Sequence, residues 1–435
     1  MLHEVISKQQ LYSPYVIATQ LQAHITTSNA SESVLKVSAI NTCVKLYTEE
    51  VTKKLQDLFH KSKQIRKSYE RLPFQGFWTW LTGKEIQGRD IKRNVSAIEC
   101  TAWSTLIYLA GIAASITIVI AELSPLWLIL SILATISAAR YIVATVIHHG
   151  VHSAIFHSER NNRILCEILS TLTIVQPYDS YKKFHVHEHH GKNFSTTEDK
   201  DLAAIYTLGI KPGVPVKHMM ILLLWQCVSP KFHLSYFWGR LRSNLFQAPL
   251  YRRTMLVLWF ALLAAIAWYV GAKAFIIGFV IPITVMYQVC SLIHLLTEHA
   301  WILRTENEKV RDSHIKNSHA RFCGQELPST NLKGFQWLKA WSHWWAAHLF
   351  LHLPTRLLVV QGSLIVHDWH HRAGTNRNWT QSIQLREVDV QREAAQGMYT
   401  YTDIWGIDNV IKEVLVRISQ RPECHEAENL TYRLN

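Results

Sequence analysis

The sequence predicts an all-α integral membrane protein, in which two transmembrane helical hairpins are capped by a cytosolic helical domain that holds histidine boxes. Three features indicate this fold class: four long apolar runs, short turns within each pair of runs, and histidine clusters near the ends of the runs. A helix needs about 20 consecutive apolar residues to cross a bilayer core. We therefore expect about four spans, at residues 100–121, 124–147, 254–272 and 274–297.

Residues 1–95 precede the first apolar run and are polar, with a mostly helical pattern. Basic residues accumulate towards the end of this region, as expected for a segment that stays on the cytoplasmic side of a membrane. The net charge of +13 is therefore attributed to a membrane surface, or to an acidic protein partner, and not to nucleic acid. The basic set is Lys53, Lys54, Lys61, Lys63, Arg66, Lys67, Arg71, Lys84, Arg89, Lys92 and Arg93. We predict a cytosolic N-terminal extension and assign it no role.

The apolar runs form two hairpins. The link from Glu122 to Pro125 is too short to do more than reverse the chain, and the second hairpin turns near Gly271. Two hairpins return the chain to the cytoplasm twice, so residues 96–380 are expected to form the catalytic membrane domain and 381–435 a cytosolic C-terminal tail. Met219–Val228 is too short to cross, and the polar residues within Trp344–Val366 favour an interfacial position.

Histidines cluster where this topology returns the chain to the cytoplasmic side. His148 and His152 close the second run; because they are four residues apart, they share one face of a helix and can share a metal ion. The spacing recurs between the hairpins and again in the C-terminal part, and one more cluster follows the fourth run. The candidate ligands are His148, His152, His185, His189, His190, His299, His367, His370 and His371, with His149, His187 and His294 as possible additions.

So many imidazoles exceed what one tetrahedral zinc uses, and they suit two metal ions with open positions. Isolated histidines such as His218, His233 and His314 are expected to be ordinary surface or core residues. His348 and His352 are also four residues apart, but they lie in an apolar aromatic segment and are left out of the site. A metal transporter is disfavoured because the histidines cap the spans instead of lying within them.

The order and spacing of these clusters resemble the histidine boxes of the membrane fatty acid desaturase and hydroxylase superfamily. The family pattern H-x(3–4)-H, H-x(2–3)-H-H and H/Q-x-x-H-H is matched in turn by His148/His152, by His185/His189/His190, and by His367/His370/His371. The segment His294–Trp301 is similar to the extra histidine element of sphingolipid desaturases. The resemblance covers residues 96–380.

The resemblance implies two non-haem iron ions, with O2 as co-substrate, and desaturation of a fatty acyl or other alkyl chain that a carrier could present. Hydroxylation, ketone formation or oxidative decarboxylation on the same scaffold stays open. Glu298 and Asp368, and also Glu188, lie beside ligands and are expected to orient imidazoles as hydrogen-bond acceptors. Asp179, Asp199 and Asp201 carry less weight.

Electrons would come from a separate ferredoxin, rubredoxin or cytochrome-type donor, since the chain has neither a ferredoxin cysteine pattern nor a His-Pro-Gly-Gly haem motif. Two features depart from the family pattern. His187 lies inside the second box and could replace His185. The stretch from Arg304 to Trp341 is long for a lipid desaturase, and could shape a substrate entrance or bind a partner.

Overall fold

The structure of the chain, a computed structural model, describes residues 52–86, 88 and 95–421. Residues 1–51 and 422–435 of the predicted extension and tail lie outside this description, as do Arg89, Lys92 and Arg93. Helices predominate throughout the described part. Its strands are Ala320–Phe322 and Asp403–Trp405, which pair in parallel. The predicted all-α fold class is confirmed.

Within the described residues, four helices are long and apolar enough to cross a membrane: Ala97–Ile120, Pro125–Val151, Leu250–Val270 and Ala272–Glu298. Their bounds lie within four residues of the predicted ones. Ser96 and Glu99 begin the first span with a reciprocal capping box, and Ser124 followed by Pro125 begins the second. Gly271, with a φ of 86°, makes the turn of the second hairpin in a conformation that side chains disfavour.

The spans pack closely through small residues. A Cβ atom at Gly111 would lie 2.5 Å from Thr135 Oγ1, so glycine allows the first two spans to approach. Ser115 donates a hydrogen bond to Ser131 across the same interface, at 2.8 Å. Small residues and interhelical hydrogen bonds are the usual means of helix association in lipid.

Shorter helices connect and follow the hairpins. Between the hairpins they are Glu159–Leu172, Tyr178–Lys182, Lys183–Lys192, Lys200–Thr207, Val216–Val228 and Pro230–Leu245. After the fourth span they are Val310–Asn317, Gly334–Ala347, His367–Ala373, Ser382–Ala395 and Ile407–Ser419. Val216–Val228 is apolar but short, as expected from its sequence.

The segment that leads to the last histidine cluster is a broken helix. Gly334–Val359 and Gly362–Ala373 meet at an angle of 111°, and Gly362 has a φ of 51°. Arg356 is buried at the break, where it donates hydrogen bonds to the carbonyl oxygens of Trp80, Val360 and Gly362. The bonds to Val360 and Gly362 satisfy carbonyl groups at the break, and the bond to Trp80 joins the break to the helix Gln75–Thr82. The break turns the chain so that the last histidine cluster faces the others.

The described part of the N-terminal region packs against the C-terminal half. It contains a helix over 52–68, the short turn Tyr69–Arg71 and the helix Gln75–Thr82. The Tyr69 hydroxyl lies 2.8 Å from His348 Nε2, and His348 Nδ1 lies 2.7 Å from the Trp344 carbonyl oxygen. His348 therefore has a structural partner at each ring nitrogen.

A buried ionic network joins this N-terminal region to the last histidine cluster. Arg386 binds Asp368 through three contacts of 2.6–3.1 Å and Asp403 at 2.7 Å. Lys84 lies 2.9 Å from Asp403 and 3.1 Å from Glu387. Burial on its own raises the pKa of the Asp403 carboxyl, but Lys84 and then Arg386 hold that pKa well below its usual range. Lys84, predicted as part of the basic surface, is thus a structural residue.

Candidate metal centre

The first histidine box closes the second span. An α-helix over Pro125–Tyr141 becomes a π-helix over Ile142–Ile147, and His148–Val151 forms the last turn. A Cβ atom at Gly150 would lie 2.2 Å from Cys166 Sγ, so the glycine permits this turn to pack against the helix Glu159–Leu172. His148 and His152 are both buried and face the interior of the protein.

The second box lies on a π-helix, Lys183–Lys192, and not on the regular helix that the spacing predicts. Because π-helical hydrogen bonds join residues five apart, His185 and His190 fall on one face together with His189. His187 falls on the opposite face and is exposed. Gly191 interrupts the helix with a non-helical ψ of −143°.

The fourth span and the broken helix supply the remaining histidines. The helix Tyr287–Glu298 ends at His299, which is extended and forms an isolated bridge with Ser318. His367, His370 and His371 lie on the seven-residue helix His367–Ala373. His299, His367 and His370 are each at least 98% buried.

These side chains form two neighbouring groups in which the potential ligand atoms lie within 4.8 Å of one another. Group one is His148, His152, His185, His190 and His370; group two is His189, His299, His367 and His371. The second and third boxes each contribute to both groups. The structure thus brings together all nine predicted ligands, and their metal-binding roles stay predictions.

The closest contacts in both groups are between ring nitrogens. In group one, His370 Nε2 lies 2.6 Å from His148 Nε2 and 3.2 Å from His152 Nε2. In group two, His371 Nε2 lies 2.9 Å from His367 Nε2 and 3.1 Å from His299 Nε2. The rings of His190 and His371 stack at 4.1 Å, so one ring pair joins the two groups.

The donor set fits metal ions. His185 Nε2 and His190 Nε2 are buried and have no hydrogen-bond partner among the described residues, which is costly for a polar atom unless something binds it. Burial, followed by the neighbouring imidazoles, lowers the pKa of both His185 and His190 well below the usual range. Burial likewise lowers the pKa of His152 to about 3. Neutral imidazole is the form that binds metal, so these rings are ready to do so at neutral pH.

Asp199 holds His189 in a fixed orientation. Its carboxylate oxygens lie 3.1 and 3.2 Å from His189 Nδ1, and they accept hydrogen bonds from the backbone N–H groups of Ser195 and Asp201. Burial lowers the pKa of His189, but Asp199 and then Asp201 raise it, to about 9. Asp199 holds the proton at Nδ1, so Nε2, which faces His299 at 3.2 Å, is the nitrogen at which a metal ion would replace the second proton. On sequence grounds alone, this aspartate carried little weight.

The other acids near the boxes behave differently. Glu298 Oε1 lies 2.9 Å from His367 Nε2, in agreement with its predicted place beside a ligand. Asp368, expected to orient an imidazole, instead binds Arg386 and the Trp369 backbone N–H. Glu188 lies 3.7 Å from Lys200 and contacts no box histidine within the described chain. Of these three acids, which neighbour box histidines in the sequence, Glu298 is the one that contacts a box histidine within the described chain.

The three possible additional ligands lie outside both groups. His149 Nε2 lies 2.7 Å from Ser363 Oγ, and its ring stacks on Trp379 at 4.4 Å. His294 Nδ1 lies 3.1 Å from the Val359 carbonyl oxygen. His187 is exposed, whereas His185 belongs to group one.

The long stretch after the fourth span covers group two. His314, expected to be an ordinary residue, stacks on Phe194 at 4.0 Å, and its ring centre lies 4.6 Å from that of His371. Asn317 fixes the stretch, since its carbonyl oxygen accepts from the Ala300 N–H and its side-chain oxygen accepts from the Ile302 N–H. No regular spacing links His314 to the boxes, so the sequence carried no signal for it.

Comparison with known families agrees with this geometry. The family model described as fatty acid desaturase matches residues 123–325, a range that contains the first two boxes and His299. No curated protein and no solved structure matches the chain. The match supports the resemblance of the chain to the membrane fatty acid desaturase and hydroxylase superfamily, and that family suggests an oxidoreductase.

Proposed function

We propose that this protein is an O2-dependent di-iron oxidase of the membrane that introduces a double bond into a fatty acyl or other alkyl chain. The observation that carries the proposal is the pair of adjoining groups of buried imidazoles at the ends of apolar spans. Nine nitrogen donors divided five and four suit two ions of a metal that accepts imidazole.

Group one would hold one iron and group two the other. When bound, the iron pair would supply the activation of O2 and the removal of hydrogen from an unactivated C–H bond. The protein would hold the imidazoles in place, as Asp199 does for His189, and would exclude water through burial of the rings. Exclusion of water protects a strongly oxidising site from side reactions.

The surroundings of the site support an alkyl substrate. An apolar groove of about 500 Å3 lies between the start of the first span and the helix Glu159–Leu172. Phe156, four residues after His152, lines it together with Leu169 and with Leu106 and Leu109, which are exposed. A groove of this size and composition accepts a hydrocarbon chain, which we propose reaches the metal centre from the membrane.

We further propose that the metal centre faces the cytoplasm and receives electrons from a separate ferredoxin, rubredoxin or cytochrome-type protein. Exposed lysines on the helix over 52–68, among them Lys53, Lys54 and Lys61, support a cytoplasmic location by the positive-inside rule. They also offer a surface to an acidic donor.

Product analysis tests the proposed reaction. Host cells would express the intact chain, the His370→Ala/His371→Ala variant, or the His187→Ala variant as a control with an exposed histidine removed. We expect acyl or alkyl products lighter by two hydrogens with the intact chain and the control, and none with the double variant. Products heavier by one oxygen would replace desaturation by hydroxylation, and loss of carbon would indicate decarboxylation.

A further inference from the structure

Groups one and two differ in the carboxylates around them. We propose that Glu298 is a metal ligand of group two, and that group two therefore holds its ion more tightly than the all-imidazole group one. This inference rests on the proposed metal centre and deepens it. It makes the two positions chemically unequal, with four imidazoles and a carboxylate at one and five imidazoles at the other.

The position of Glu298 relative to His367 distinguishes a ligand from an orienting acceptor. Asp199 illustrates the second role, because it contacts His189 at Nδ1 while Nε2 faces the group. Glu298 contacts His367 at Nε2, the same nitrogen that faces His371, while His367 Nδ1 is buried without a partner. The carboxylate is therefore on the inner side of the ring, where the metal would be.

The distance to His367 fits a shared ion. Two donor atoms that are each about 2.1 Å from one metal, and at right angles, are about 3 Å apart. The contact of 2.9 Å between Glu298 Oε1 and His367 Nε2 equals the contact between His367 Nε2 and His371 Nε2. Glu298 therefore lies as close to His367 as another ligand of group two does.

The end of the fourth span explains why this carboxylate points inward. Glu298 is the last residue of the helix Tyr287–Glu298, and His299 is extended, so consecutive side chains both reach group two. His294, one turn earlier, lies 3.5 Å from Glu298 Oε1 and remains outside the group. Arg321 donates to the His294 carbonyl oxygen and the Thr297 hydroxyl, which places one compensating positive charge behind the glutamate.

Group one has a different environment. Within the described chain, no carboxylate hydrogen-bonds to its five imidazoles. His148 Nδ1 instead lies 3.4 Å from the Tyr181 hydroxyl. Lys182 is paired with Glu159 at 2.6 Å. Two carboxylates, Glu298 and Asp199, therefore pair with imidazoles of group two and favour a cation there, whereas no carboxylate of the described chain pairs with an imidazole of group one.

Cobalt(II) binding tests the inference without reliance on turnover. The purified full chain would be loaded with Co2+ and exposed to increasing chelator, and the bound cobalt would be counted by elemental analysis. We expect two ions per chain, released in two steps. His152→Ala should leave one tightly held ion, and His299→Ala should leave one weakly held ion.

Glu298→Gln should weaken only the tight step, by about 10–100-fold, and should change the visible absorption of the tightly held cobalt. Glu188→Gln is the matched control, since it removes a carboxylate next to His189 that faces Lys200 and should change neither property. The unfolding temperature of each metal-free variant verifies that it is folded. If Glu298→Gln does not fold, the order of release in the two histidine variants still decides which group holds its ion more tightly.

The possible outcomes separate the two proposals. Release of both ions in one step would overturn the inequality, and a tight step that Glu298→Gln leaves unchanged would overturn the ligand role of Glu298; either result would leave the metal centre intact. A folded chain that binds no cobalt would overturn the metal centre itself.

Discussion

Replacement of Arg386 tests whether the buried ionic network stabilises the protein. Its side chain is 1% exposed and binds two carboxylates, Asp368 in the last histidine box and Asp403 in the short parallel sheet. Arg386→Met would leave both carboxylates buried with fewer partners. Breaking a buried ion pair by removal of one member costs about 3–5 kcal/mol. At roughly 2 °C per kcal/mol for a large chain, the unfolding temperature should fall by about 6–10 °C.

The assay is thermal unfolding of the metal-free protein in detergent, followed by tryptophan fluorescence. Arg392→Met is the matched control, because Arg392 lies on the same helix, is 64% exposed and pairs with Asp389. Surface pairs contribute about 1 kcal/mol or less, so this change should move the unfolding temperature by at most about 2 °C. The double variant Arg386→Met/Asp368→Asn should be less destabilised than Arg386→Met, because Asp403 keeps Lys84 as a partner whereas Asp368 would otherwise remain as a buried charge without its cation. Equal effects of Arg386→Met and Arg392→Met would refute the structural role of the network.

Three further predictions follow from the same structure. The pKa of Asp403 is lower in the folded protein than its unfolded value of about 3.9, so its contribution to the free energy of unfolding is complete at neutral pH and is lost as pH falls. The unfolding temperatures of wild type and Asp403→Asn should therefore differ by a constant amount above about pH 5 and converge below about pH 4. A constant difference down to about pH 3 would contradict this prediction. His185→Ala should reduce bound metal, whereas His187→Ala, which changes an exposed ring, should not; elemental analysis distinguishes them, and equal loss would contradict the assignment. A Cβ atom at Gly150 would lie 2.2 Å from Cys166 Sγ, so Gly150→Ala should lower the free energy of unfolding by about 1–3 kcal/mol, and the added change Cys166→Ala should restore much of this loss. If Gly150→Ala alone is as stable as wild type in thermal unfolding, the close contact does not constrain this position.

The spans and the histidine ligand candidates could be predicted because each depends on a local pattern. A bilayer fixes the length of an apolar helix, and a shared metal requires imidazoles on one helical face, so both leave a regular spacing in the sequence. No spacing in the sequence predicts which histidines of a box fall in group one and which in group two. It arises because a π-helix directs His185, His189 and His190 to one face, and because the broken helix then presents His370 to one group and His371 to the other.

Other parts of the site depend on contacts between distant residues. Asp368 and Glu298 both stand next to a box histidine in the sequence, but Arg386, eighteen residues beyond Asp368, draws that carboxylate away from the metal centre. His314 meets His371 only because the stretch after the fourth span folds back over group two. Such outcomes are determined by tertiary packing, which no single-sequence pattern encodes.

The most direct test of the proposed metal centre is the iron content of the purified full chain. After anaerobic loading with Fe2+ and removal of free metal, we predict two iron ions per chain, falling to about one in either His152→Ala or His299→Ala. Mössbauer spectra should show iron in nitrogen and oxygen coordination. A folded wild-type chain that retains no iron, or a single ion that survives both substitutions, would contradict a two-metal site built from these histidines.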